Sequence, residues 1–153
     1  MKIDIFADNL KAKDCRDNPI LFSACLIATN LSAVMVVREN NHEMWRFPSL
    51  DIHEESAGFD PIATLRNTWQ IPDTASLEKT VVVTLYLPQK TMIRTYYRSI
   101  TAGLDRQDCY HESDHDISWV DSVALLSLFD GSTADLEDSE LLEADFIALV
   151  NSI

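Results

Sequence analysis

Glycine is scarce in this chain: three among 153 residues, at positions 58, 103 and 131. Loops that cradle phosphate on backbone amides need glycine for close approach, so no Gly-rich phosphate loop is available. Positive charge is scarce as well. Twelve Lys and Arg face twenty-five Asp and Glu, a formal net charge of −13. Proteins that grip nucleic-acid backbones or anionic membranes do so with basic groups that displace counterions, so neither partner is expected. A small anionic ligand held by a few local arginines stays compatible with that balance. The three cysteines, Cys15, Cys25 and Cys109, are widely spaced, odd in number and form no Cys-x-x-Cys pair. That usage points to a reducing compartment. No run of eighteen apolar residues occurs, so no membrane-spanning segment is expected. The opening Met1-Lys2-Ile3-Asp4-Ile5 lacks a signal-peptide pattern, and the cytoplasm is the expected location.

What is present is ordinary for a globular protein: 46% hydrophobic and 24% charged residues, in a length that suits one domain, 1–153. Lys2 to Phe6 alternates and predicts a short strand. Ala7 to Asn18 is polar, and Asn18-Pro19 reads as a turn. Ile20 to Thr29 and Ala33 to Arg38 read as a hairpin of apolar strands, followed by a polar turn and a strand over Glu43 to Phe47. Val81 to Leu87 and Met92 to Ile100 form a second β-prone pair around Pro88-Gln89-Lys90. A short strand is expected at Ile117 to Val120, a helix from Asp121 through Phe129, and an acidic amphipathic helix over 135–150. Asp130 to Asp145 holds seven carboxylates and no Lys or Arg. Strands cluster in pairs and helices follow them, which gives an α/β (α+β) fold class.

The stretch from Trp45 to Ile71 organises the rest. An aromatic strand stops at Phe47-Pro48, and an acidic loop runs from Asp51 to Asp60. A helix then starts on a strong signal, with Asp60 suited to cap it and Pro61 suited to its first position. Ile62, Leu65 and Trp69 recur at helical spacing, so one face is apolar. This strand–loop–helix order resembles the Nudix (MutT-like) family of pyrophosphohydrolases. Phe47-Pro48 matches the family's strand end, Glu55-Ser56 its loop end, and Ala63-Thr64-Leu65-Arg66 its helix start. Val36-Val37-Arg38 and the segment from Asp116 through Trp119-Val120-Asp121 resemble the pieces that precede and follow. The resemblance covers roughly residues 20–130. It implies a mixed sheet sandwiched between helices. It also marks a degenerate motif: Ser49-Leu50 replaces two glycines, and Asn67, Gln70 and Ile71 replace the three helix glutamates. The loop between Glu55 and Arg66 is longer than the family's.

Family chemistry needs divalent metal, usually Mg²⁺, held by hard oxygen ligands one helical turn apart. Asn67 and Gln70 are neutral and Ile71 offers no ligand atom. The resemblance therefore implies a domain that binds a nucleotide or another phosphate-bearing ligand, or a protein partner, with hydrolysis impaired and no cofactor. The alternative is an active pyrophosphohydrolase of nucleoside-diphosphate derivatives that uses Mg²⁺ on relocated carboxylates. Candidates are Glu54 and Glu55 for metal and Glu55 and Glu112 for catalysis, against a reading of both loops as solvated and acidic. Cys109, His111, Glu112, Asp114, His115 and Asp116 are rich in ligand types, but they too read equally as a polar loop. Arg66 is a candidate ligand contact or a surface arginine paired with a loop glutamate. Arg94, Tyr96 and Arg98 fall on one face of their strand, as a phosphate-binding face or as the basic residues of a protected edge. A third class is pure assembly, with the acidic helix or a sheet edge pairing two subunits as a homodimer. Trp45, Trp69 and Trp119 sit in apolar patterns and are expected in the core.

Overall fold

The computed structural model describes residues 1–7, 10–30, 33–39, 45–52, 60–69, 71, 75–100, 115–121, 125 and 136–152. Seven strands build one mixed sheet: β1 (Lys2–Phe6), β2 (Ile20–Asn30), β3 (Ala33–Glu39), β4 (Ser49–Ile52), β5 (Leu77–Tyr86), β6 (Thr91–Ile100) and β7 (His115–Asp121). Their order is β1-β5-β6-β2-β3-β7, with β4 added beside the first half of β2. The β1/β5 and β2/β6 pairs are parallel and the others antiparallel. Helix α1 (Pro61–Trp69) and helix α2 (Leu136–Ser152) complete the described elements.

The two helices lie on opposite faces. Alternate residues of each strand point to opposite sides of a sheet. On one side Cys25, Ile27, Val34, Val36, Val83, Leu85 and Tyr96 pack with Leu141, Ala144, Ala148 and Leu149 of α2. On the other, Ala24, Leu26, Ala28, Met35 and Tyr97 pack with Leu65 and Trp69 of α1. Strand β2 is therefore buried on both faces, which is why its sequence is apolar almost without interruption rather than alternating. In β5 the register slips by one residue between Lys79 and Val81. That bulge lets Leu77 join the α1 side while Val81, Val83 and Leu85 face α2, although all four positions are odd.

The strand expected over Glu43 to Phe47 is displaced. Residues 43 and 44 lie outside the described ones, and Arg46 makes only an isolated bridge to Val37. The regular strand instead begins after Pro48, at Ser49, and takes in Asp51 and Ile52, which the sequence assigns to the acidic loop. Leu50 and Ile52 explain the shift: both pack with the α1 cluster, while Ser49 and Asp51 face outward, so a period of two continues beyond the proline. Trp69 is buried, whereas Trp45 and Trp119 are half-buried. The polar segment before β2 contains a single 3₁₀ turn, Ala12–Cys15. Of the helix expected from Asp121 through Phe129, Asp121 instead ends β7, paired with Ala33, and Leu125 is helical and buried; the other positions lie outside the described residues. No helix among the described residues is long and apolar enough to cross a membrane.

Candidate functional site

Helix α1 starts where its sequence says. Asp60 Oδ1 accepts from the backbone amides of Ile62 (3.1 Å) and Ala63 (3.3 Å), and Pro61 fills the first position, where no donor is needed. The apolar stripe lies on the sheet, with Leu65 and Trp69 buried and Ile62 packed beside them. Asn67 projects into solvent and Arg66 is half-buried. The Ile71 amide closes the end by donating to the Arg66 carbonyl at 3.0 Å. The whole element, Pro-Ile-Ala-Thr-Leu-Arg-Asn-Thr-Trp, presents no carboxylate.

On the opposite face β6 delivers Arg94 and Tyr96 beneath α2. They do share a strand face with Arg98, but that face is not the open positive surface expected from the sequence. Arg94 is 2% exposed and Tyr96 fully buried, because α2 covers them. Arg98 alone reaches the surface, where it pairs with Glu78 at 3.5 Å. Arg94 Nε donates to the Tyr96 hydroxyl (3.1 Å), Nη1 to Ser23 Oγ of β2 (3.4 Å), and Nη2 to Asp145 Oδ1 of α2 (3.1 Å). The Tyr96 hydroxyl in turn donates to the same Asp145 oxygen at 2.5 Å. Asp145 Oδ2 is buried and finds no hydrogen-bond partner among the described residues. Ser23 also lies 3.9 Å from Cys25 Sγ, which sits on the same face of β2.

Burial dominates the electrostatics of this cage. It works against the charge on Arg94, but Cys25, Tyr96 and Asp145 outweigh it and raise the guanidinium pKa further. Burial, with Asp145 and Cys25 adding to it against the opposing Arg94, lifts Tyr96 well above its usual range, so the phenol keeps its proton and remains the donor. Burial likewise pushes the Cys25 thiol up to about 11, which makes it inert rather than nucleophilic.

The sequence puts Arg94 and Tyr96 on one strand face but does not assign Asp145 to them. The signal was present: Leu141, Asp145 and Leu149 recur every four residues, which places a carboxylate on the apolar stripe of α2. Glu54, Glu55, Cys109, His111, Glu112 and Asp114 lie outside the described residues, and His115 and Asp116 enter β7 opposite Glu39 and Arg38. Among the described residues no group of three His, Cys, Asp or Glu is placed to hold a metal ion.

No protein-family model matches this chain, and no curated protein matches it in sequence. Solved structures match its fold. The MutT protein of Methanosarcina mazei Go1 superposes with a TM-score of 0.58 at 15% identity, covering 86% of this chain and 96% of that one. The NUDIX domain of Shewanella oneidensis NrtR, solved in complex with ADP ribose, gives 0.55 at 16% identity, covering 92% and 94%. A NUDIX hydrolase from Nitrosomonas europaea gives 0.56 at 11%, covering 86% and 90%. At such identities the likeness is one of fold: a mixed sheet between helices, Nudix-like in architecture.

Proposed function

We propose that this Nudix-like domain binds a phosphate-bearing ligand of the nucleoside-diphosphate class without the hydrolysis typical of the fold. The observation that carries the reading is helix α1. It packs on the sheet through Leu65 and Trp69 with Arg66 at its side, yet its nine residues include no Asp or Glu. A divalent ion bound to diphosphate needs anionic oxygen ligands to offset its charge, and neutral Asn67 and the threonines of α1 cannot supply them. Binding is favoured by two features. The fold neighbour from Shewanella oneidensis was solved with ADP ribose. In this chain, the Arg94 guanidinium, which donates to the Tyr96 and Ser23 oxygens, and the Tyr96 hydroxyl, which donates to Asp145, are donors of the kind that hold phosphate oxygens.

The test titrates ADP-ribose and nucleoside diphosphates by calorimetry and follows phosphate or nucleotide release with Mg²⁺ or Mn²⁺ present. Binding without turnover is the expected result. Metal-dependent turnover that disappears in Glu55→Gln or Glu112→Gln would establish the relocated hydrolase instead.

A further inference from the structure

The buried cage has the chemistry of an oxyanion site whose occupant comes from the chain itself. The Arg94 guanidinium and the Tyr96 phenol converge on one oxygen, Asp145 Oδ1, and Ser23 Oγ stands on the guanidinium's other terminal nitrogen. Nothing in that set is particular to a carboxylate, because phosphate oxygens accept from the same donors. The carboxylate also fits incompletely. Its Oδ2 is fully buried and lacks a hydrogen-bond partner among the described residues, a condition that folded proteins rarely tolerate without a reason. The helix that brings Asp145 is an unusual cover. It carries five carboxylates and no Lys or Arg over 136–152, in a chain already at −13. Its outer side leaves Phe146 41% and Val150 58% exposed.

We propose that Arg94, Tyr96 and Ser23 form a binding site for a phosphate group, and that α2 closes this site by holding Asp145 in the phosphate's place. The proposal rests on the phosphate-ligand reading above and adds its location and regulation. Ligand and helix compete for one guanidinium edge. Binding therefore displaces Asp145, and docking of Asp145 weakens binding by the same factor.

The experiment uses inorganic pyrophosphate. In Asp145→Asn the remaining Oδ1 still accepts from Arg94 and Tyr96, but the competing charge is gone. Calorimetry is expected to show pyrophosphate bound at least tenfold more tightly by Asp145→Asn than by the unaltered protein, with binding lost when Arg94→Met is added. Hydrogen exchange on the unaltered protein needs no variant to fold: saturating pyrophosphate should speed amide exchange across 136–152. Equal affinity of the two proteins, failure of both to bind, or unchanged or slower exchange in α2 overturns the proposal. The two readings fail separately. A nucleoside diphosphate that binds equally well to Asp145→Asn, with α2 undisturbed, removes the closed site and leaves the binding function standing. No binding of any phosphate compound to either protein removes both.

Discussion

Arg94 shows how much a single side chain depends on its company. Arg94 is 2% exposed, and its carboxylate partner is Asp145, fully buried on another element. Removing one member of such a pair leaves the other as an uncompensated buried charge. Arg94→Met is expected to cost about 3–5 kcal/mol in a urea unfolding experiment. Adding Asp145→Leu should recover much of that loss, since an apolar pair of similar volume removes the stranded charge. A double variant no more stable than Arg94→Met would mean that packing, not charge, holds this site.

Cys25 yields a second expectation at the same scale. Burial pushes its folded thiol up to about 11 from the usual 9.0. Between those values the unfolded chain has lost a proton that the folded protein keeps. The folded state binds more protons, so stability falls as pH climbs through that window. The contribution is whole below the lower value and gone above the upper one. The slope from this residue reaches about 1.4 kcal/mol per pH unit, and urea melts from mildly to strongly alkaline pH will show it. Cys25→Val, a change of similar volume, should flatten that part of the curve. An identical slope in the variant would assign the alkaline loss to other groups.

At the scale of elements, α1 is a short helix, and short helices depend on their ends. Asp60 satisfies two amides that otherwise face no acceptor in the helix. Asp60→Ala is expected to cost about 1 kcal/mol, read as a lower urea midpoint with an unchanged slope. The start and the buried face of the same element were legible in the sequence, because its cap signal and its apolar spacing are local. Strand β4 was not. Its boundary is set by pairing with β2 and by contact of Leu50 and Ile52 with the α1 cluster, and Pro48 read alone suggests an end rather than a beginning. The bulge in β5 is of the same kind: which face Leu77 takes is decided by β6 and the core, not by parity within β5.

At the scale of the whole molecule, charge and metal dependence are linked. The chain carries −13, and α1 offers no carboxylate to a divalent ion. Millimolar Mg²⁺ is expected to leave the melting temperature unchanged. An ion at a hundred times its dissociation constant would add about 2.7 kcal/mol, a rise that thermal denaturation detects readily. Such a rise would place a metal site on the acidic loops around Glu54, Glu55 or Glu112.

The sequence by itself determined the alternation of faces in β6, the capped helix between Asp60 and Ile71, the absence of carboxylates from that helix and the class of fold. Each of these is a matter of residue type at short spacing, where local sterics and hydrogen bonding act without help from distant parts. Period two in β6 even put Arg94, Tyr96 and Arg98 on one side, as the structure has them. Only the tertiary structure decided what that side faces. The sequence reads Arg94 and Arg98 alike, two basic residues four apart on one strand. Packing buries the first under α2 and leaves the second at the surface with Glu78. The difference lies with Asp145, fifty-one positions along the chain from Arg94. A contact of that separation exists only once the sheet has formed and the helix has docked. No local preference encodes it, and burial then turns an exposed charge into a neutral, enclosed cage.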